Sequence, residues 1–107
     1  MPKYLFQGAY IGDGLKGLAV EGGTPRVEAA RQLFASLGGT LEHFYFAFGQ
    51  DDLLVICDLP DNQSAAAFSL AINNTGKARG YVTPLMTPEE MDQAVTKSPD
   101  YRAPGES

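Results

Sequence analysis

A chain of 107 residues has the length for one domain and too little for two, and its 44% hydrophobic content is that of a globular protein with no run of about 18 apolar residues and no basic-then-apolar start. Eight Lys plus Arg against thirteen Asp plus Glu give a formal charge of -5 without any basic cluster, so neither nucleic acid nor a membrane is expected as a partner. Cys57 is the only cysteine, which excludes an intrachain disulfide and a cysteine-rich metal site and makes the cytoplasm the expected address.

Residues 3–11, KYLFQGAYI, are rich in aromatic and aliphatic side chains and run into glycine, the pattern of a first strand. In the following IGDGLKG, residues 11–17, Gly12, Gly14 and Gly17 stand at the G-x-G-x-x-G spacing of a dinucleotide fingerprint. That fingerprint works only where a helix begins at the glycines and points its N-terminus at a pyrophosphate beside a parallel strand. Residues 12–23 hold five glycines and are expected to form a loop, with the first helix start at Thr24-Pro25, an N-cap followed by proline. The segment therefore reads as a mobile loop over one end of the sheet, or as a lid whose Lys16 and backbone amides meet an anionic ligand.

In the helix from Thr24, Val27, Ala30, Leu33, Phe34 and Leu37 form an apolar stripe, and Arg26, Glu28, Arg31 and Gln32 take the other side until Gly38-Gly39 ends it. Residues 41–48 and 52–59 read as two strands joined by a tight hairpin at Gly49-Gln50-Asp51. Asp61 then caps a second helix through Ala65, Phe68, Ala71 and Ile72, which stops at Asn73-Asn74-Thr75-Gly76. Residues 78–86 make a fourth strand, and Pro84, lacking an amide hydrogen, assigns it to a sheet edge. Thr87-Pro88-Glu89-Glu90 is a capping box for a short helix through Val95, residues 1–97 make the domain, and residues 98–107 read as a disordered tail. The order β-α-β-β-α-β predicts an α+β, ferredoxin-like sandwich: a four-stranded antiparallel sheet with both helices on one face.

The hairpin carries the sharpest expectation. A two-residue turn opposes Phe48 to Leu53, Phe46 to Val55 and Phe44 to Cys57, and a turn one residue different pairs Phe46 with Leu54. Either register leaves large apolar side chains on both faces, with His43, Tyr45 and Ala47 beside Asp52, Leu54, Ile56 and Asp58 on the second. The first strand behaves likewise, Tyr4, Phe6 and Tyr10 pointing one way and Leu5, Ala9 and Ile11 the other. Four or five large apolar residues left in water forfeit on the order of 10 kcal/mol, comparable to a domain's whole stability. The helix-free face is therefore expected to be covered by a second copy in a twofold homodimer.

GLK at 14–16, TPR and EAAR in the first predicted helix, LGGTL at 37–41, FYF at 44–46, LPD at 59–61 and TPEE at 87–90 occur together in one order and spacing. From Tyr10 through Glu90 the chain resembles the GYD domain, a small bacterial family of the dimeric α/β-barrel superfamily. Where that family has its Gly-Tyr-Asp signature this chain reads Gly49-Gln50-Asp51-Asp52, with Asp52 at the family aspartate and Asp51 in place of the tyrosine. The resemblance implies the fold and a dimer, and no activity.

His43 is the only histidine, and beside Asp58 or Asp52 it is the candidate catalytic base. The resembling superfamily includes cofactor-independent oxygenases and isomerases with such groups in sheet-lined pockets. Tyr10, Tyr45 and Tyr81, with Tyr4, are candidate pocket residues whose hydroxyls would orient a small, partly apolar molecule; the alternative is that they fill a dimer core. Arg79 is a candidate carboxylate holder or a solvated edge residue, and Lys16 a candidate anion contact. Cys57 reads as a small core hydrophobe, and Asp52 as an acceptor of backbone amides at the hairpin. No cofactor and no metal is expected, since His43 lacks a partner at ligand spacing. The chain thus reads as a small-molecule-binding or assembly module, with a cofactor-independent oxygenase or isomerase as the alternative.

Overall fold

The computed structural model describes residues 1–106. Its elements run β1 (Lys3–Tyr10), α1 (Asp13–Glu21), α2 (Thr24–Ser36), β2 (Thr40–Phe46), β3 (Leu53–Asp58), α3 (Asn62–Asn73), β4 (Ala78–Pro84) and α4 (Pro88–Ala94). The strands form one sheet in the order β2-β3-β1-β4, and all three neighbouring pairs are antiparallel. This is the α+β, ferredoxin-like arrangement, with β4 and its terminal Pro84 at an edge as expected.

Alternation along the strands decides which side is core. Tyr4 and Phe6 of β1 and Leu53, Val55 and Cys57 of β3 are buried against Phe34 of α2 and Ala65 and Phe68 of α3. Phe68 stands at the centre, its ring 5.0 Å from Phe6 and 4.9 Å from Phe34. Such tilted, close aromatic contacts add to simple area burial. Gly80 on β4 leaves room for the Phe6 ring: a Cβ there would lie 2.4 Å from Phe6 Cζ. Asn73, at the end of α3, accepts from the Gly80 amide at 2.9 Å and donates to the Gly80 carbonyl at 3.1 Å, tying helix to strand.

The caps are those that the side chains can make. Asp61 accepts from the Ser64 amide at 2.8 Å, and Thr87 and Glu90 exchange the two bonds of a capping box. α2 begins one residue earlier than Thr24 capping predicts: Gly23 is its N-cap and Thr24 its first residue, with no side-chain cap bond.

Two further expectations are corrected. Residues 12–23 are not a loop: Asp13–Glu21 form α1, bounded by Gly12 at φ 53° and Gly22 at φ 84°. Gly14 is what docks this helix, because a Cβ there would lie 1.8 Å from the carbonyl oxygen of Lys77. The Ile11 amide donates to that same oxygen at 2.9 Å, fixing the entry to α1. The hairpin is also wider than a two-residue turn. Ala47 N–H donates to Asp52 O at 2.7 Å, and Phe46 faces Leu53, Phe44 faces Val55 and Leu41 faces Cys57. Phe48, expected opposite Leu53, lies outside the strands and is 108% exposed. The slip is two residues, so Phe44 and Phe46 keep the core face and His43 and Tyr45 the other, as expected.

An irregularity between Leu41 and His43 turns Leu41 toward the core and His43 to the other side. The chain after β4 leaves the sandwich. α4 buries no residue, and the radius of gyration, 17.2 Å, exceeds the value of about 13 Å for a compact chain of this length. Among the described residues no helix is long and apolar enough to cross a membrane.

Candidate functional site

Between the inner face of the sheet and helices α1, α2 and α3 lies a cavity of about 290 Å³. Its apolar wall comes from Phe6, Leu33, Phe44, Val55, Phe68 and Ile72, and its polar lining from Asp13, Glu21, Arg26, Lys77, Tyr10 and Thr75. Size and composition match a small-molecule site, a few hundred Å³ of apolar surface with a few placed polar groups. α1 supplies one wall through residues at helical spacing, Asp13, Gly14, Gly17, Leu18 and Glu21. α2 supplies another through Arg26, Ala29, Ala30 and Leu33.

Tyr10 and Arg26 are the polar centre of this lining. Asp52 accepts from the Tyr10 amide at 3.0 Å, and the Asp52 amide donates to Gly8 O at 2.8 Å, so the hairpin holds the end of β1 in place. Burial pushes the Tyr10 hydroxyl above the ordinary phenol value, and the Arg26 guanidinium beside it offsets part of that shift. The hydroxyl is therefore a neutral hydrogen-bonding group near pH 7. Arg26 Nη1 lies 3.4 Å from Glu21 Oε2. Arg26 Nε is buried with no hydrogen-bond partner among the described residues.

The residues singled out from the sequence divide between two faces. Tyr10 lines the cavity. Lys16 is on the exposed side of α1 and is not among the lining residues; Lys77 is the lysine that is. His43, Tyr45, Arg79 and Tyr81 share the helix-free face, as the strand pairing Tyr45 with Leu54, Gln7 with Tyr81 and Ala9 with Arg79 requires. His43 stacks on Tyr45 with ring centroids 6.2 Å apart, and its Nε2 lies 3.5 Å from Glu42 Oε1. The sheet separates it from Tyr10, and it does not line the cavity. Tyr81 donates to Asp51 at 3.1 Å, a bond that raises the Tyr81 hydroxyl above its ordinary value.

Tyr4 is a core residue whose hydroxyl donates to Asn62 at 2.7 Å, at a second hollow beside α3 and β4 that has no charged lining group. Cys57 is fully buried, and burial pushes its thiol up to about 11, which leaves it protonated and packed as a hydrophobe. Among the described residues no group of three or more His, Cys, Asp or Glu side chains is placed to hold a metal ion.

The model of the GYD domain matches residues 4–95, nearly the whole chain. The chain belongs to the GYD domain family. No curated protein and no solved structure matches it. In this GYD domain the turn that gives the family its name carries two aspartates, and both reach back to the sheet, Asp51 to Tyr81 on β4 and Asp52 to Tyr10 on β1.

The fingerprint question is answered by the same geometry. A helix does begin at the glycines, contrary to expectation, but the sheet has no parallel neighbouring pair and Gly14 is pressed on the Lys77 backbone, where a phosphate would have to sit. Arg26 and Glu21 were not among the residues expected to form a site. Arg26 stands four residues before Ala30 and seven before Leu33, so helical spacing extends the inward stripe of α2 back to it. Glu21 was hidden because its helix was read as a loop.

Proposed function

We propose that this GYD domain binds a small, largely apolar molecule in the cavity beneath α1 and works as a homodimer joined through its helix-free sheet face. The cavity carries the first half of the reading: it has ligand-site volume, an apolar wall and a few polar lining residues, Arg26 and Tyr10 among them. The test is thermal melting of the purified chain with neutral one- and two-ring aromatic compounds. Wild type is expected to gain several degrees, and Ala30→Phe, which fills the space between α2 and the sheet, to keep its fold and lose the gain. Equal shifts in both proteins would place binding elsewhere and sink the cavity reading.

The second half rests on the outer face. Leu5, Leu54 and Ile56 are only half-buried there, and Tyr45 and Tyr81 are 64% and 52% exposed. A polar margin of Lys3, Glu42, Asp58 and Thr40, joined by ion pairs and a hydrogen bond, closes one end of this apolar strip. An apolar centre with a charged rim is the composition of a protein interface. Light scattering at micromolar concentration is expected to give twice the chain mass, and Ile56→Glu to give a folded species of single mass, because a carboxylate would have to be buried unpaired at the interface. A single mass for wild type counts against the dimer. No observation favours the oxygenase or isomerase alternative, since its base, His43, lies on the face away from the cavity.

A further inference from the structure

We infer that the ligand of this cavity is a monocarboxylate with a compact hydrocarbon body, its carboxylate held by Arg26 beside Tyr10. The inference rests on the reading that the cavity binds small molecules, and it names their chemistry. Three observations carry it. The first is the orphan donor: Arg26 Nε is buried and has no acceptor among the described residues, although Nη1 is engaged by Glu21 at 3.4 Å. A buried N–H without an acceptor is unfavourable, and a guanidinium presents its donors as a planar fork matched to a carboxylate. Nε itself has almost no accessible surface, so a ligand oxygen meets it only when the Arg26 side chain turns its fork toward the cavity that it lines.

The second observation is the charge of the lining. Asp13 and Glu21 stand against Arg26 and Lys77, so the cavity is balanced as it is. A single negative charge can share Arg26 with Glu21 or displace it, whereas a phosphate-like dianion would face two carboxylates with too few cations. The third is the wall opposite. Phe6, Leu33, Val55, Phe68 and Ile72 offer no polar side chain, so everything in the ligand beyond its head must be hydrocarbon. Within about 290 Å³ there is room for one or two rings. The Tyr10 hydroxyl, kept neutral by burial, is the natural second donor to the head group.

The experiment compares two probes of one shape, 2-naphthoate and the neutral 2-naphthalenemethanol, by calorimetric titration into the full chain. Wild type is expected to bind 2-naphthoate at least tenfold more tightly. Arg26→Met should erase that margin while leaving the alcohol within about twofold, Arg26→Lys should restore part of it, and Glu21→Gln should tighten 2-naphthoate severalfold by removing the competing carboxylate. A cooperative thermal melt for each variant shows that it is folded, and Arg26→Lys keeps the comparison usable if Arg26→Met is not. Equal binding of the two probes by wild type, or a margin that survives Arg26→Met, overturns the carboxylate assignment and leaves an apolar binding cavity. Failure of both probes to bind cooperatively melting wild type overturns the assignment and the cavity reading together.

Discussion

Replacing Phe68 with alanine is expected to destabilise the protein by about 4 kcal/mol and to lower its thermal midpoint by about 15–20 °C. Phe68 is 4% exposed and touches the rings of both Phe6 and Phe34, so its removal takes one face from each of two other buried aromatics. The site also adjoins a cavity, and the void left by the ring would merge with it instead of closing. Partial collapse is what keeps such losses small elsewhere, and here little is available. Phe68→Leu, which retains most of the volume, should cost roughly 1 kcal/mol. The measurement is circular dichroism against temperature, and a loss below about 1 kcal/mol for the alanine variant would mean that the α3 contact does not organise the core.

Gly14→Ala is the second large effect, and it is local. The added carbon would meet the Lys77 carbonyl oxygen at 1.8 Å and its carbon at 2.6 Å, and both are backbone. Neither partner can swing aside, so α1 must lift from the sheet. Overpacking of this kind costs about 1–3 kcal/mol, and since α1 buries no other residue, undocking relieves it more readily than global unfolding. Amides of residues 13–21 are expected to exchange nearly as fast as in an unstructured peptide, with the β1 and β3 amides still protected. Ligand affinity should fall tenfold or more as the cavity loses a wall. Gly17→Ala, in the same helix, meets nothing within 4 Å and should instead gain roughly 0.5–1 kcal/mol from helix propensity. Protected amides in the Gly14→Ala protein would show that α1 docks by some other contact.

The pair explains why most of the fold was legible and α1 was not. Strand alternation, the Thr87 capping box, the Asp61 cap and proline at the edge are local chemistry, and each produced the element it foretold. The hairpin register was off by two, yet its faces held because side-chain direction repeats every two residues. Glycine, by contrast, weighs against a helix on propensity alone, and only a contact with Lys77, more than sixty residues away in the chain, turns Gly14 into a reason for one. The cavity was not legible for the same reason. His43, Tyr45 and Tyr81 lie on the open face, whereas the cavity is walled by α1, the helix that glycine propensity conceals. Of the candidate site residues His43, Tyr10, Tyr45, Tyr81, Arg79 and Lys16, Tyr10 alone lines it. Arg26 has a visible signature in its spacing to Ala30 and Leu33, masked because charged residues on an amphipathic helix ordinarily face water.

The clasp of Asn73 on Gly80 bears on how copies of this chain can meet. The amide group occupies both main-chain hydrogen-bonding groups of one residue on an outermost strand, standing in for the neighbour that a sheet lacks at its margin. A second chain trying to extend the sheet sideways would find that rung already taken. Lateral growth into ribbons or fibrils through the β4 margin is hindered at that rung, which leaves β2 as the sheet's other outermost strand.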